Sequence, residues 1–175
     1  MKSIPSSRKL LCLFVPLPHN RIIEYIRSKY DPSSFKCIQA HVTLCREHEV
    51  ADWSEVEDKL SALEDVHIPL SFKRPEIAKE GGLFLFAQGR SDEFFKYRKF
   101  LLPNDREVDS LSPHITLIHP RTPYSSIKTL SQVSKFIFPQ GIIFREIALI
   151  EQTHGSSWRV IRRYSGVSPL EKYRL

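Results

Sequence analysis

Two short motifs place a histidine and a threonine at the same spacing, once in each half of the chain. They are His41-Val42-Thr43-Leu44 and His114-Ile115-Thr116-Leu117. Both lie in segments that alternate polar and apolar residues as strands do, so the histidine and threonine share one face. One such histidine is ordinarily explained as a strand residue bonded to a carbonyl. Two matching motifs, from seven histidines and five threonines in 175 residues, favour a shared function.

Two imidazoles and two hydroxyls suit the cleavage of a phosphodiester. The attacking oxygen must lose a proton while the leaving oxygen gains one, on opposite sides of an in-line phosphorus. Because the ordinary histidine pKa is near ~6.5, one ring can be neutral while the other is protonated. The motifs therefore predict His41 and His114 as the catalytic acid and base, in an order that the sequence leaves open. Thr43 and Thr116 are predicted to bind the phosphate oxygens, and no metal or other cofactor is expected.

A metal centre is the competing interpretation of the first motif. His41, Cys45 and His48 have the residue types of zinc ligands. Their i, i+4, i+7 spacing converges on one face of a helix, whereas this segment has the pattern of a strand and its exit. Zinc is therefore not expected here.

The paired motifs resemble the signature of the two-histidine (2H) phosphoesterase superfamily, which includes bacterial RNA 2',3'-cyclic phosphodiesterases, also called 2'-5' RNA ligases. Its members carry two H-h-[ST]-h tetrapeptides, with h apolar, and both motifs fit. The resemblance implies a bilobal α+β fold, with two pseudo-symmetric antiparallel sheets, flanking helices and a cleft between the lobes. It also implies hydrolysis of a 2',3'-cyclic phosphate or a 2'-5' linkage on RNA or a nucleotide, with 2'-5' ligation as the reverse reaction.

A non-catalytic module that holds RNA ends or nucleotides in the same cleft is the alternative. Binding alone needs cations and hydrogen-bond donors, not two imidazoles matched as acid and base. The sequence therefore favours the enzyme. A metallo-hydrolase is a third interpretation, which sensitivity to a chelator would reveal.

Weaker candidates surround the motifs. Arg46 and Arg121 follow them closely and are candidate substrate-binding residues, since a guanidinium suits an anion; an ordinary exposed arginine explains each equally. His119 is expected in a loop, without a catalytic role. Four further residues are expected near the cleft, namely Phe14, Trp158, Arg162 and Tyr164. Alternation places Arg162 beside Trp158 and Tyr164, an arrangement that suits base stacking or RNA contact. Packing in the core and a solvated strand face explain these residues equally well.

The composition indicates one soluble domain. A chain of 175 residues with 41% hydrophobic residues is long enough for one core, so a single two-lobed domain over 1–175 and a monomer are expected. The apolar run 10–17 reads as a buried strand rather than a secretory signal or a membrane span. Three cysteines without C-x-x-C spacing indicate the cytoplasm. The net charge of +6 favours anionic partners such as nucleic acid.

The elements that must position the motifs follow from periodicity and from turn and cap residues. Strands are predicted over 8–15, 35–46, 66–72, 82–87, 112–118, 142–152 and 157–164, the last two as a hairpin around His154-Gly155. Helices are predicted from Pro18 to Tyr30, after Asp52, from Ser91 to a stop at Pro103-Asn104-Asp105, and over 124–136.

Overall fold

A computed structural model describes residues 7–103, 108–109, 111–122, 126–153 and 155–165. Within these ranges the strands are β1 Ser7–Phe14, β2 His41–Cys45, β3 Ile68–Phe72, β4 Glu76–Ile77, β5 Leu83–Gln88, β6 His114–Ile118, β7 Gly141–Phe144, β8 Ile147–Thr153 and β9 Arg159–Tyr164. The helices are α1 Asn20–Tyr30, α2 Pro32–Cys37, α3 Trp53–Ser61, α4 Asp92–Leu101 and α5 Ile127–Val133, with a 3₁₀ turn at Glu47–Glu49. In the described ranges no helix has the length and apolar character that a bilayer crossing requires.

The strands form one antiparallel sheet in the order β7-β3-β5-β6-β2-β1-β8-β9, with β4 paired to β5. One half contains β2, β1, β8 and β9, and the other contains β7, β3, β5 and β6. The two halves meet where β2 pairs with β6, and these are the strands that carry the motifs. The predicted α+β class is confirmed, with the two expected sheets joined edge to edge.

Apolar residues of the two motifs anchor this junction in the main core. Val42, Leu44, Ile115 and Leu117 each have 0% exposure, and burying side chains of this size stabilises the fold by about 1.5–3 kcal/mol each. The alternating pattern then directs the polar residues of both motifs to the opposite, partly exposed face of the sheet. The face predicted from alternation is thus the face observed.

The strand predicted over 35–46 is wrong in its first half, where residues 32–37 form helix α2. The Asp31 side chain accepts a hydrogen bond from the Ser34 N–H at 3.2 Å, and Pro32 occupies the first turn. An aspartate cap followed by proline is a helix start signal, and it overrides the apolar alternation that follows. Helix α2 becomes a wall of the site described below.

The single strand predicted over 142–152 is also wrong, because it is two strands. β7 pairs with β3 in one half and β8 pairs with β1 in the other. Both strands are apolar, so local periodicity does not reveal that the chain changes partners between them. The hairpin of β8 and β9 is confirmed, with Ile147 opposite Tyr164.

The other predicted elements are confirmed with small shifts at their ends. Asp52 caps α3 by accepting from the Ser54 N–H at 2.8 Å, and Gly81 and Gly82 take positive φ values in the turn before β5. The two-residue strand β4 is missing from the sequence prediction because it is too short to show a period. Parts of three predictions lie outside the described residues, namely the stop at Asn104-Asp105, the helix start at Tyr124 and the turn residue His154.

Candidate active site

The pairing of β2 with β6 brings the two motifs together. Val42 lies opposite Ile115, and antiparallel pairing then sets His41 opposite Thr116 and Thr43 opposite His114. Opposed residues on one face of such a pair have Cβ atoms about 4.5–5.5 Å apart. The two imidazoles and the two hydroxyls therefore form one compact group, related by an approximate twofold axis between the strands.

Each histidine is oriented by a backbone carbonyl two residues earlier. The distance from His41 Nδ1 to the Gln39 oxygen is 2.8 Å, and that from His114 Nδ1 to the Ser112 oxygen is also 2.8 Å. A carbonyl oxygen only accepts, so Nδ1 carries the proton in both rings. Nε2, on the far side of each ring, is then the nitrogen that can accept a proton.

Aromatic rings flank both imidazoles. Phe14 lies opposite His41 across β1 and β2, with ring centroids 6.4 Å apart. Phe86 lies opposite His114 across β5 and β6, with centroids 5.6 Å apart, and Phe84 meets the same ring edge-on at 5.2 Å. These rings exclude water from one side of each histidine, which raises the cost of charging it.

Burial accordingly lowers the pKa of both histidines. The pKa of His41 falls to about 4, because burial and the positive charges of Arg27 and His114 outweigh the hydrogen bond to Gln39, which raises it. Burial and the charge of Arg46 likewise lower the pKa of His114. Both rings are therefore mainly neutral at pH 7 in the ligand-free protein. The surrounding charges that disfavour imidazolium favour a bound anion.

Arg46 is held next to the site by a buried ion pair. Its backbone N–H donates to Glu49 Oε2 at 2.7 Å, and Glu49 Oε1 pairs with Arg98 Nη2 at 3.0 Å. The guanidinium of Arg46 acts on the charge state of His114, so this candidate lies within electrostatic range of the motifs.

Sequence analysis missed Arg27, a buried arginine of α1. Its guanidinium donates to the carbonyl of Ser34 at 3.1 Å and to that of Ile38 at 2.7 Å, and its charge acts on His41. A charged residue beside the apolar face formed by Ile23 and Ile26 was the available signal, since buried arginines usually have partners.

Glu24 completes this clamp on the segment that precedes His41. One carboxylate oxygen pairs with Arg27 at 2.7 Å, and the other accepts from the Ala40 N–H at 2.6 Å. Residues 38 and 40 are thus both tied to α1. Gln39, whose carbonyl orients His41, lies between them and is held in place.

A cavity of about 660 Å³ opens beside the motifs. Its polar end is lined by His41, Thr43 and Thr116, together with His119 and Arg121 of the loop that follows β6. Thr43, Thr116 and Arg121 therefore share one cavity with His41, whereas His114 and Arg46 are not part of its lining. A larger cavity, of about 800 Å³, lies against α4 and contains none of the motif residues.

Asp31 fixes the loop that carries His119 and Arg121, and sequence analysis gave it no such role. Its buried carboxylate accepts from the His119 N–H at 2.8 Å and from the Thr122 hydroxyl at 3.0 Å. The Arg121 N–H donates to His119 Nδ1 at 3.1 Å, so the proton of the neutral His119 ring lies on Nε2. His119 is a loop residue as predicted, and the loop brings it to the cavity wall.

Replacing Asp31 with asparagine is expected to lower the free energy of unfolding by about 1–3 kcal/mol, because an amide cannot accept from every donor that now surrounds the carboxylate. Burial alone would raise the pKa of Asp31, but the bonds from His119, Ser34 and Thr122 lower it below its usual value. The stability that these bonds give to the ionised carboxylate is fully present above the unfolded pKa of about 3.9. It is lost as the pH falls through the lower pKa of the folded state. Urea unfolding of Asp31→Asn at several pH values measures both effects.

The matched control for that experiment is Asp52→Asn at the cap of α3. This carboxylate is exposed, and asparagine is nearly as good a cap, so a change of only a few tenths of a kcal/mol is expected. Equal losses in the two variants would show that Asp31 is an ordinary cap and does not hold the loop.

No family model and no curated protein sequence matches the chain. Solved structures do resemble it. E. coli LigT complexed with ATP has a TM-score of 0.63 at 15% identity, covering 93% of this chain and 98% of that chain, and LigT complexed with 3'-AMP has a TM-score of 0.61 at 14% identity, covering 93% and 99%. A Thermus thermophilus protein has a TM-score of 0.57 at 18% identity, covering 92% and 100%. The chain therefore has the fold of E. coli LigT over nearly its whole length, and this agrees with the α+β fold that the resemblance implied.

Proposed function

We propose that this chain is a two-histidine phosphodiesterase that opens a 2',3'-cyclic phosphate on an RNA end or a nucleotide, with a 2'-5' linkage as the related substrate. The observation that carries the proposal is the pairing of β2 with β6, which groups two identically oriented imidazoles with two hydroxyls. The likeness to LigT, which has been solved with 3'-AMP, ATP and phosphate, supports a nucleotide ligand.

The proposed reaction is an in-line displacement at phosphorus. The neutral Nε2 of one histidine takes a proton from water, and the water oxygen forms a bond to phosphorus. The protonated Nε2 of the other histidine gives its proton to the leaving 3' oxygen as the P–O bond breaks. This leaves a 2'-phosphomonoester. When a ribose hydroxyl attacks the cyclic phosphate in place of water, the product is a 2'-5' linkage. This step is the reverse of the cleavage of that linkage.

Threonine hydroxyls and nearby cations stabilise the charge that develops on the phosphate. Thr43 and Thr116 donate to the non-bridging oxygens, each from the strand position opposite the other motif's histidine. Arg46 and Arg121 add positive charge on the two sides of the group. None of these steps requires a metal, and the described residues contain no group of three or more His, Cys, Asp or Glu side chains arranged to hold one.

The pH dependence follows from the lowered pKa values. Catalysis needs one neutral and one protonated histidine. The pKa of His41 is about 4 and that of His114 lies below its ordinary value, so the singly protonated pair is most abundant in the acid range between them. The profile of kcat/KM, which reports the free enzyme, is therefore expected to be a bell with both limbs below about pH 6.5. The limbs of kcat move to higher pH because a bound phosphate favours imidazolium.

The test is turnover of a nucleoside 2',3'-cyclic monophosphate and of a short RNA ending in a cyclic phosphate, from pH 4 to 9, with EDTA present throughout. Chelator-resistant hydrolysis to the 2'-phosphate, with the acid-shifted bell in kcat/KM, is the expected result. Turnover that EDTA abolishes would contradict the mechanism. Tight binding of either substrate without turnover would identify the non-catalytic module instead.

A further inference from the structure

The cavity beside the motifs has a second end, where an arginine lies over a tryptophan. The guanidinium carbon of Arg8 is 5.3 Å from the ring centroid of Trp158. Sequence analysis placed Arg162 beside both Trp158 and Tyr164; Arg162 lies over Tyr164, at 5.2 Å, whereas Arg8 lies over Trp158. Both Arg8 and Trp158 line the cavity that contains His41 and Thr43. We call this pair the Arg8–Trp158 platform.

Buried and backbone groups hold the platform in place. Arg8 Nη2 donates to Oε1 of Gln152, a residue with 6% exposure. The side-chain amide of Gln152 donates in turn to the Ser156 carbonyl at 2.6 Å, and the backbone N–H of Trp158 donates to the Cys37 carbonyl of α2 at 2.9 Å. An otherwise exposed guanidinium is therefore fixed above the ring. Fixing it in advance lowers the entropic cost of binding a flat ligand there.

An apolar floor connects the platform with the motifs. On β1, Cys12 lies opposite Thr43. Leu10 and Arg8, which precede it on the same strand, lie on the same face. Cys12 belongs to a small buried cluster, separate from the main core, against which Leu10 and Trp158 pack. At about 3.3 Å per residue, four strand positions separate Arg8 from Cys12 by roughly 13 Å. The cavity thus changes from polar to apolar and aromatic over the span of a nucleotide.

We propose that the Arg8–Trp158 platform is the nucleobase subsite of this cavity, where one base of the substrate stacks while its phosphate lies between the two histidines. The inference rests on the proposed function, and it assigns a binding site to the nucleobase, which the two motifs do not contact. Unpaired bases stack on aromatic rings and on guanidinium planes. Such stacking tolerates any base, since every base has a π face.

The first experiment compares two substrates that share the reacting phosphate. One is adenosine 2',3'-cyclic monophosphate, and the other is 1-O-methylribose 2',3'-cyclic phosphate, which has no base. Base stacking is worth about 1–3 kcal/mol, so Trp158→Leu is expected to raise KM for the adenosine substrate by about 5–150-fold. KM for the base-free substrate and kcat for both should change by less than about twofold. Arg8→Gln, at an exposed position, should raise the same KM without risk to folding.

Trp53→Leu is the matched control. Trp53 is the other tryptophan of the chain, and it also lies under a cation, with Lys9 Nζ 5.9 Å from its ring centroid. It is not part of the cavity lining, so the variant should leave both KM values unchanged. Equal effects of Trp158→Leu and Arg8→Gln on the two substrates, or no effect on either, would overturn the subsite.

A binding measurement separates this inference from the proposed function. In a Trp53→Phe background, Trp158 is the sole tryptophan, and its fluorescence is expected to be quenched by adenosine 2'-monophosphate but not by ribose 5-phosphate. Hydrolysis of the base-free substrate reports on the catalytic proposal alone. Quenching without hydrolysis would overturn the catalytic proposal and support a base subsite, whereas hydrolysis without base-dependent quenching would overturn the subsite.

Discussion

Replacing either His41 or His114 with asparagine is expected to lower kcat for a 2',3'-cyclic phosphate by about 10²–10⁴-fold, the usual contribution of a positioned acid or base. Asparagine can keep an N–H near the position of Nδ1, which in His41 donates to the Gln39 carbonyl. It has no counterpart of Nε2. The loss therefore measures proton transfer rather than orientation of the side chain, and steady-state kinetics on the two variants provide the measurement.

The double variant sharpens this prediction. Because acid and base act on the same displacement, removing both is expected to cost about as much as removing one, rather than the product of the two losses. His67→Asn is the control, since His67 is exposed and is not part of the cavity lining. Activity within about tenfold of wild type in either single variant would contradict general acid–base catalysis by these residues.

Replacing Arg98 with methionine is expected to lower the free energy of unfolding by about 3–5 kcal/mol, because the change breaks the buried ion pair between Arg98 and Glu49. The side chains of both residues have 0% exposure. Arg98 also donates to the carbonyls of Leu44, in the first motif, and Val108, the latter at 2.7 Å. Urea unfolding of the purified variant measures the loss.

Removing both charges tests whether the cost comes from breaking the ion pair. Glu49→Leu combined with Arg98→Met is expected to be more stable than Arg98→Met alone, since a buried pair replaced by apolar residues is often nearly neutral. Lys59→Met is the surface control, because its pair with Glu55 at 2.7 Å is partly exposed to solvent and should contribute at most about 1 kcal/mol. If Arg98→Met were no more harmful than Lys59→Met, the pair would not support the fold.

Periodicity alone determined which face of each motif strand carries the histidine and the threonine. Strand side chains alternate with a period of two, so the burial of Val42 and Ile115 follows from their own neighbours in the chain. The start of helix α3 could also be predicted from neighbouring residues, because the Asp52 side chain accepts from the N–H groups two and three residues further along the chain. The residue types of the two motifs, the α+β class and the shared face of histidine and threonine could therefore be predicted before any tertiary structure was known.

Tertiary structure decided how these parts meet. The pairing of β2 with β6 joins strands far apart in the chain, and apolar strands of similar pattern do not specify their partners locally. Asp31 holds the loop at His119 across 88 residues, and Arg8 reaches Gln152 across 144. Such contacts depend on the three-dimensional path of the chain, which no local period records. The sequence by itself therefore determined the residue types of the two motifs and the face that they share, and the fold decided their register, the clamp on His41 and the platform at the far end of the cavity.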